Sequence, residues 1–185
     1  MLFRSPDDLK IMPALCPVVG RTRAEAQAKY DALQALIDPL AGLASLYSAF
    51  GDLSAYPLDA PVPDGALGSQ ELRSVSAQFV ERMRREKPTI RELYLRAGLT
   101  GSARIGTPID IADAMQAWFE AEACDGFNIT PATLPGGAED FVEMVVPELQ
   151  HRGLFRTEYE GATLRQNLGL RPVRSRYSRD RQAAE

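Results

Sequence analysis

Hydrophobic and polar positions divide the chain into segments with clear edges. Lys10 to Val19 reads KIMPALCPVV, a continuous apolar run closed by Gly20. A run without polar alternation fits a strand buried on both faces, as in a parallel sheet. Pro13 and Pro17 oppose that reading, because proline removes a ladder donor. Thr22-Arg23-Ala24-Glu25 then has the form of a capping box, and it predicts a helix to about Ile37. Ala26, Tyr30, Leu33 and Ile37 form its apolar stripe, and Pro39 stops it.

From Leu40 to Phe50 the chain is apolar and rich in small residues. Gly51 to Gly68, with Pro57, Pro61 and Pro63, reads as a long loop, either an active-site cover or an excursion from the scaffold. Ser69 to Arg85 and Ile90 to Ala97 are helix candidates. The sharpest unit follows. Thr107 suits an N-cap, Pro108 the first helical position and Asp110 the third. Ile111, Met115, Trp118 and Phe119 continue at helical spacing and read as core. Gly126-Phe127-Asn128-Ile129 predicts a short strand, and Thr130 to Gly137 a loop. Ala138 to Gln150 predicts a helix with Phe141, Met144, Val145 and Leu149 inward, kinked or restarted at Pro147 and ended by Gly153. The tail, residues 171–185, is Arg-rich without an apolar stripe, and is expected to be poorly ordered.

These segments leave an imbalance. Two strands, Lys10–Val19 and Gly126–Ile129, are separated by about 100 residues of mostly helical pattern. A parallel pair has two open edges. Either the chain is helical throughout, a self-contained adaptor, or further strands lie outside it.

Composition narrows the class. The chain has 185 residues, 45% hydrophobic, with a net charge of −4, which suits one globular domain and gives no basis for a nucleic-acid partner. No apolar run reaches the ~20 residues of a membrane span. The opening Met1-Leu2-Phe3-Arg4-Ser5-Pro6 is too short and polar for a secretory signal. Cys16 and Cys124 are the only cysteines and match no CxxC pattern, so a reducing cytoplasm is expected and both read as small buried hydrophobes. With His151 the single histidine, no His-based metal cage or triad is expected.

Several pieces in order carry a resemblance. They are Ser5-Pro6-Asp7-Asp8-Leu9-Lys10-Ile11-Met12-Pro13, Pro17-Val18-Val19-Gly20-Arg21-Thr22, Gly106-Thr107-Pro108, Asp125-Gly126-Phe127-Asn128 and Leu134-Pro135-Gly136-Gly137. Asp140 to Arg156 and Tyr159 to Leu170 extend the series. Together they resemble the C-terminal part of the nitrilotriacetate and dibenzothiophene-sulfone monooxygenase group of luciferase-like flavin-dependent monooxygenases. The resemblance implies an α/β fold, the C-terminal portion of a TIM-type (β/α)8 barrel. Lys10–Val19 would be its seventh strand and Gly126–Ile129 its eighth. A mainly helical insertion, about residues 40–102, would cover the active site.

It further implies reduced FMN delivered by an NAD(P)H-dependent flavin reductase, O2 as co-substrate, a small organic substrate, and a homo-oligomer when intact. The family's phosphate-gripping loop and most residues around its flavin precede the seventh strand. The chain begins just upstream of that strand. It is therefore expected to be a segment, inactive and without tight FMN alone. A non-catalytic remnant, or half of a split barrel with an N-terminal half-barrel partner, is the alternative.

Barrel enzymes build sites at the C-terminal ends of strands. The candidate cofactor- or substrate-lining residues are therefore Phe127, Asn128, Thr130 and Pro131; catalytic residues are not identified. Against this, Phe127 fills a core and Asn128 caps a turn, because most inward barrel residues are packing. A tyrosine important in the related alkanesulfonate branch corresponds to Ala132, so its role does not transfer. Where the family usually has arginine this chain has His151. Thr107-Pro108 could hold a phosphate at the helix start, but no Gly-rich cradle precedes it and capping is the simpler role. Asn128-Ile129-Thr130 matches a glycosylation sequon by chance in a cytoplasmic setting.

Overall fold

A computed structural model describes residues 9–66, 77–98 and 103–171. The tail from residue 172, the stretch Ser5–Asp8 and the first part of the Ser69–Arg85 helix lie outside them.

The continuous apolar run does form a strand, β1 (Ala14–Val19), buried at every position after Ala14. It is the centre of a three-stranded parallel sheet of order β2-β1-β3. The helical-adaptor reading is therefore excluded. The expected strand Lys10–Val19 is shorter because Lys10–Pro13 run extended beside Asp125, whose backbone N–H donates to the Ile11 carbonyl at 2.8 Å. Pro17 sits inside the central strand, and pairing explains the tolerance. The carbonyls of Pro13 and Leu15 accept from β3-side residues Asn128 and Thr130, both at 2.9 Å. Strand alternation aims position 17 to that same side. There β3 (Asn128–Ile129) has already ended, so the missing N–H removes no ladder bond.

The other neighbour corrects the strand count. β2 (Ala103–Gly106) pairs along Cys16–Val19, making three strands among the described residues rather than two. Four residues containing Arg104 and Gly106 carry no periodic signal, so sequence pattern assigns them only as the approach to a helix cap.

One core joins this sheet to the helices. Leu15 and Val19 of β1 pack with Ile111 and Ala112 of α5 (Pro108–Glu120). Phe141 and Val145 join from a π-helical turn (Phe141–Val145) between α6 (Gly136–Asp140) and α7 (Val146–His151), and Leu149 from α7 itself. The inward set expected for residues 138–150 is the observed one, with Met144 partly buried. Pro147 acts as predicted, but by a change of helical register. It cannot donate to a carbonyl one turn back, and the turn before it widens to π spacing. Trp118 and Phe119, expected in the core, are instead 44% and 50% exposed. α5 runs opposite to the strands, so its last turn overshoots the short β3, and little of the sheet remains to cover these rings.

A second core is built by α2 (Pro39–Phe50), α3 (Ala77–Glu86) and α4 (Ile90–Gly98). Pro39 ends α1 (Arg23–Ala35) as expected, yet it also opens α2. The Asp38 carboxylate caps the N–H groups of Leu40 and Ala41. Gly42 lies against the ring of Tyr94. The loop after α2 is tied down. Leu53 and Val62 are buried in this core, and Asp59 pairs with Arg91 at 2.6 Å. The last helix among the described residues, α8 (Leu164–Asn167), is one capped turn.

Candidate functional site

Two strand-to-helix turns lie side by side where β1 and β2 end. The Gly20 N–H donates to the Gly106 carbonyl at 3.1 Å and locks the turns together. Gly20 has no room for a side chain, since a Cβ would sit 2.4 Å from the Ala26 nitrogen. Thr22 caps α1 by accepting from the Glu25 N–H at 3.1 Å. Glu25 reaches back to the N–H of Arg21 rather than of Thr22. Thr107 and Asp110 form a complete capping box on α5. Arg23 joins the two helix starts through a bidentate pair with Asp110, at 2.6 and 3.0 Å.

These contacts set the electrostatics. The Arg23 guanidinium, then the Thr107 N–H and hydroxyl, hold the Asp110 carboxyl far below the usual carboxylate range. Lys29, half-buried, donates to Asp140 at 2.7 Å, to the Val19 carbonyl at 3.0 Å and to Glu25 at 3.3 Å. The bond to Asp140 does most to raise its pKa. Sequence reasoning missed this cluster. The Glu25–Lys29 spacing of four was a legible helix pair. Asp140 is brought to Lys29 only by tertiary packing.

The four residues expected to line a site do not converge. Phe127 precedes β3, half-buried, its ring 6.4 Å from that of Trp118. Asn128 opens β3, exposed, and donates to the Met12 carbonyl at 3.0 Å rather than capping a turn. Thr130 and Pro131 follow the strand. The Thr130 N–H and hydroxyl both go to the Leu15 carbonyl, at 2.9 and 3.2 Å. Because β3 pairs only with Ala14 and Leu15, Thr130 is level with Cys16, three residues or roughly 10 Å short of the end of β1 at Val19. Both cysteines are buried, as expected. Among the described residues no three His, Cys, Asp or Glu side chains gather as a metal site. Likewise no single helix there is long and apolar enough to cross a membrane.

Two cavities, of about 530 and 340 Å3, lie at the opposite end, where the strands begin. Met115 and Phe127 line both, so they form the partition between them.

No family model matches the chain. Individual relatives do. N-acetyl-S-(2-succino)cysteine monooxygenase of Bacillus subtilis is 48% identical over 95% of this chain and 41% of its own length. Nitrilotriacetate monooxygenase component A of Aminobacter aminovorans is 47% identical over 93% of this chain and 39% of its own. Among solved structures, riboflavin lyase, with a modified FMN and riboflavin, superposes at a TM-score of 0.64 and 31% identity. That match covers 90% of this chain and 36% of that one. The chain thus spans about two fifths of the length of the curated relatives it matches.

A flavin does not fit the described residues by themselves. The helix starts nearest the strand ends are capped by their own threonines and carry the carboxylates of Glu25 and Asp110, which repel a phosphate. The nearby ammonium of Lys29 is already bonded three times. Neither cavity opens at that end.

Proposed function

We propose that this chain, a relative of the luciferase-like monooxygenases, forms the last part of the barrel of a two-component flavin-dependent monooxygenase and needs further barrel strands for catalysis. One observation carries the reading. Among the described residues a three-stranded parallel sheet with both edges open coincides with a match that takes in nearly the whole chain but about two fifths of each relative. A closed barrel of this kind has eight strands, and the site forms at its C-terminal mouth.

In this reading the reaction oxygenates a small organic molecule with O2 and reduced FMN, supplied by an NAD(P)H-dependent flavin reductase. The flavin supplies the oxidative chemistry when bound; the protein orients it and excludes water. This chain contributes rigid wall: the paired turns at Gly20 and Gly106, and the Lys29–Asp140 tie between α1 and α6. Thr130 and Pro131 are the lining residues that follow a strand. Phe127 and Asn128 support the wall from below. The α2–α4 unit, within the insertion at about 40–102, is the cover. A reducing cytoplasm suits the two thiols and the reductase. The open edges also allow a split barrel, in which an N-terminal half-barrel chain supplies the other strands. The intact enzyme is expected to be a homo-oligomer.

The test is anaerobic titration of the purified 185-residue chain with reduced FMN. It is repeated after co-expression with a polypeptide that supplies the preceding βα units of the barrel. The expected result is no saturable binding at micromolar flavin alone, and binding with O2 uptake once the complement is present. Micromolar binding with substrate-dependent O2 uptake by the lone chain would overturn the proposal.

A further inference from the structure

The larger cavity has no part in the reading above, and it has the features of a ligand site. At about 530 Å3 it falls in the range of small-molecule pockets, which are mostly apolar with a few placed polar groups. Met12, Met115, Phe119, Phe127, Leu149 and Leu168 supply apolar wall. Most polar groups on its lining are already engaged. Lys10 pairs with Asp125 at 3.3 Å. Gln116 bonds Glu120 and Arg152. Asn167 is committed to the backbone of Gly161 and Thr163.

Arg156 is different. Its guanidinium stacks on the rings of Phe155 and Tyr159, at 4.6 and 4.4 Å to their centroids. One N–H donates to the Tyr159 hydroxyl at 3.3 Å. Among the described residues no carboxylate pairs with it; Asp113 and Glu148 pair with Arg152 instead. Stacking holds the guanidinium plane; apart from the N–H given to Tyr159, its edge donors have no partner among the described residues and can form the fork that matches a carboxylate.

We propose that this cavity binds a small carboxylate with an apolar body, the body against Phe119, Phe127 and Leu149 and the carboxylate on the Arg156 fork. The site lies at the strand-start end of the sheet and is independent of flavin. Calorimetry on the full 185-residue chain, without flavin, tests it with 4-phenylbutyrate against 4-phenylbutan-1-ol. The acid is expected to bind roughly tenfold more tightly than the alcohol, the margin of a charge-assisted bidentate pair. Arg156→Met should bring the acid down to the level of the alcohol and leave the alcohol unchanged. Arg156 is exposed, so this variant keeps the fold, checked by circular dichroism. Three outcomes overturn the proposal: equal binding of acid and alcohol, an Arg156→Met chain that binds the acid as the parent does, or no binding of either. The last is also the result if another stretch of polypeptide fills the cavity.

Discussion

Gly42 carries a packing constraint that its neighbours do not announce. A Cβ there would stand 2.4 Å from Cδ2 of Tyr94, a ring held among buried residues and bonded at its hydroxyl by Arg91. Overpacking of this kind costs about 1–3 kcal/mol. Gly42→Ala should therefore lower the urea midpoint, while Gly65→Ala, at a position with open space, should not. Asp110 gives a prediction with a definite sign. Its carboxyl is depressed in the folded chain, so its contribution to stability is present above the unfolded value of about 3.9 and is lost as pH falls toward the folded value. Asp110→Asn should flatten the decline in stability between roughly pH 5 and 2, measured as urea midpoint against pH. At this scale the sequence was informative where chemistry is local. Thr107, Pro108 and Asp110 announced their cap, and Cys16 and Cys124 their burial. The partners of Asp110 and Lys29 were not legible, because Arg23 and Asp140 lie 87 and 111 positions away.

The elements show where periodicity suffices and where it does not. α1, the first half of α5 (Ile111 and Met115) and the helix around Pro147 follow their stripes, since an amphipathic helix needs only its own spacing to choose a buried face; the last turn of α5, with Trp118 and Phe119, does not. β2 was invisible because a strand of four residues is defined by the neighbour it pairs with. Contacts between elements set further expectations. Arg152 on the turn after α7 bonds Asp113 and Gln116 of α5, at 2.7 and 3.0 Å, and Glu148 at 2.8 Å. Arg152→Ala should cost about 1 kcal/mol in thermal or urea unfolding, a partly solvated network being worth little more than one hydrogen bond. Asp113→Ala should cost less, because that carboxylate is 62% exposed.

At the scale of the whole molecule, two hydrophobic cores share no buried residue. The α2–α4 core and the sheet core meet through α1, whose Gln34 side chain donates to the Leu95 carbonyl at 3.2 Å. Cores so divided open as separate units. Leu46→Ala, a buried truncation worth about 2–5 kcal/mol, should speed amide exchange across α2 and α4. Exchange at Val18 and Ile105 of the sheet should stay slow. Uniform acceleration through both regions would show one cooperative unit instead. The exposed rings of Trp118 and Phe119 belong to this scale too: they lie beyond the reach of a three-stranded sheet.

The sequence by itself determined the caps, the amphipathic helices, the buried central strand and the resemblance to part of a barrel family. Each is written in residues close together or in a fixed order of short motifs. Only the tertiary structure decided that Ala103–Gly106 is a strand, that Pro39 opens a helix, and that Thr130 stops short of the sheet's end. It also decided that Arg156 lines a cavity, with one N–H on the Tyr159 hydroxyl and no carboxylate partner among the described residues. Those outcomes depend on which distant groups meet, and that is set by packing whole elements together rather than by the preference of any one residue.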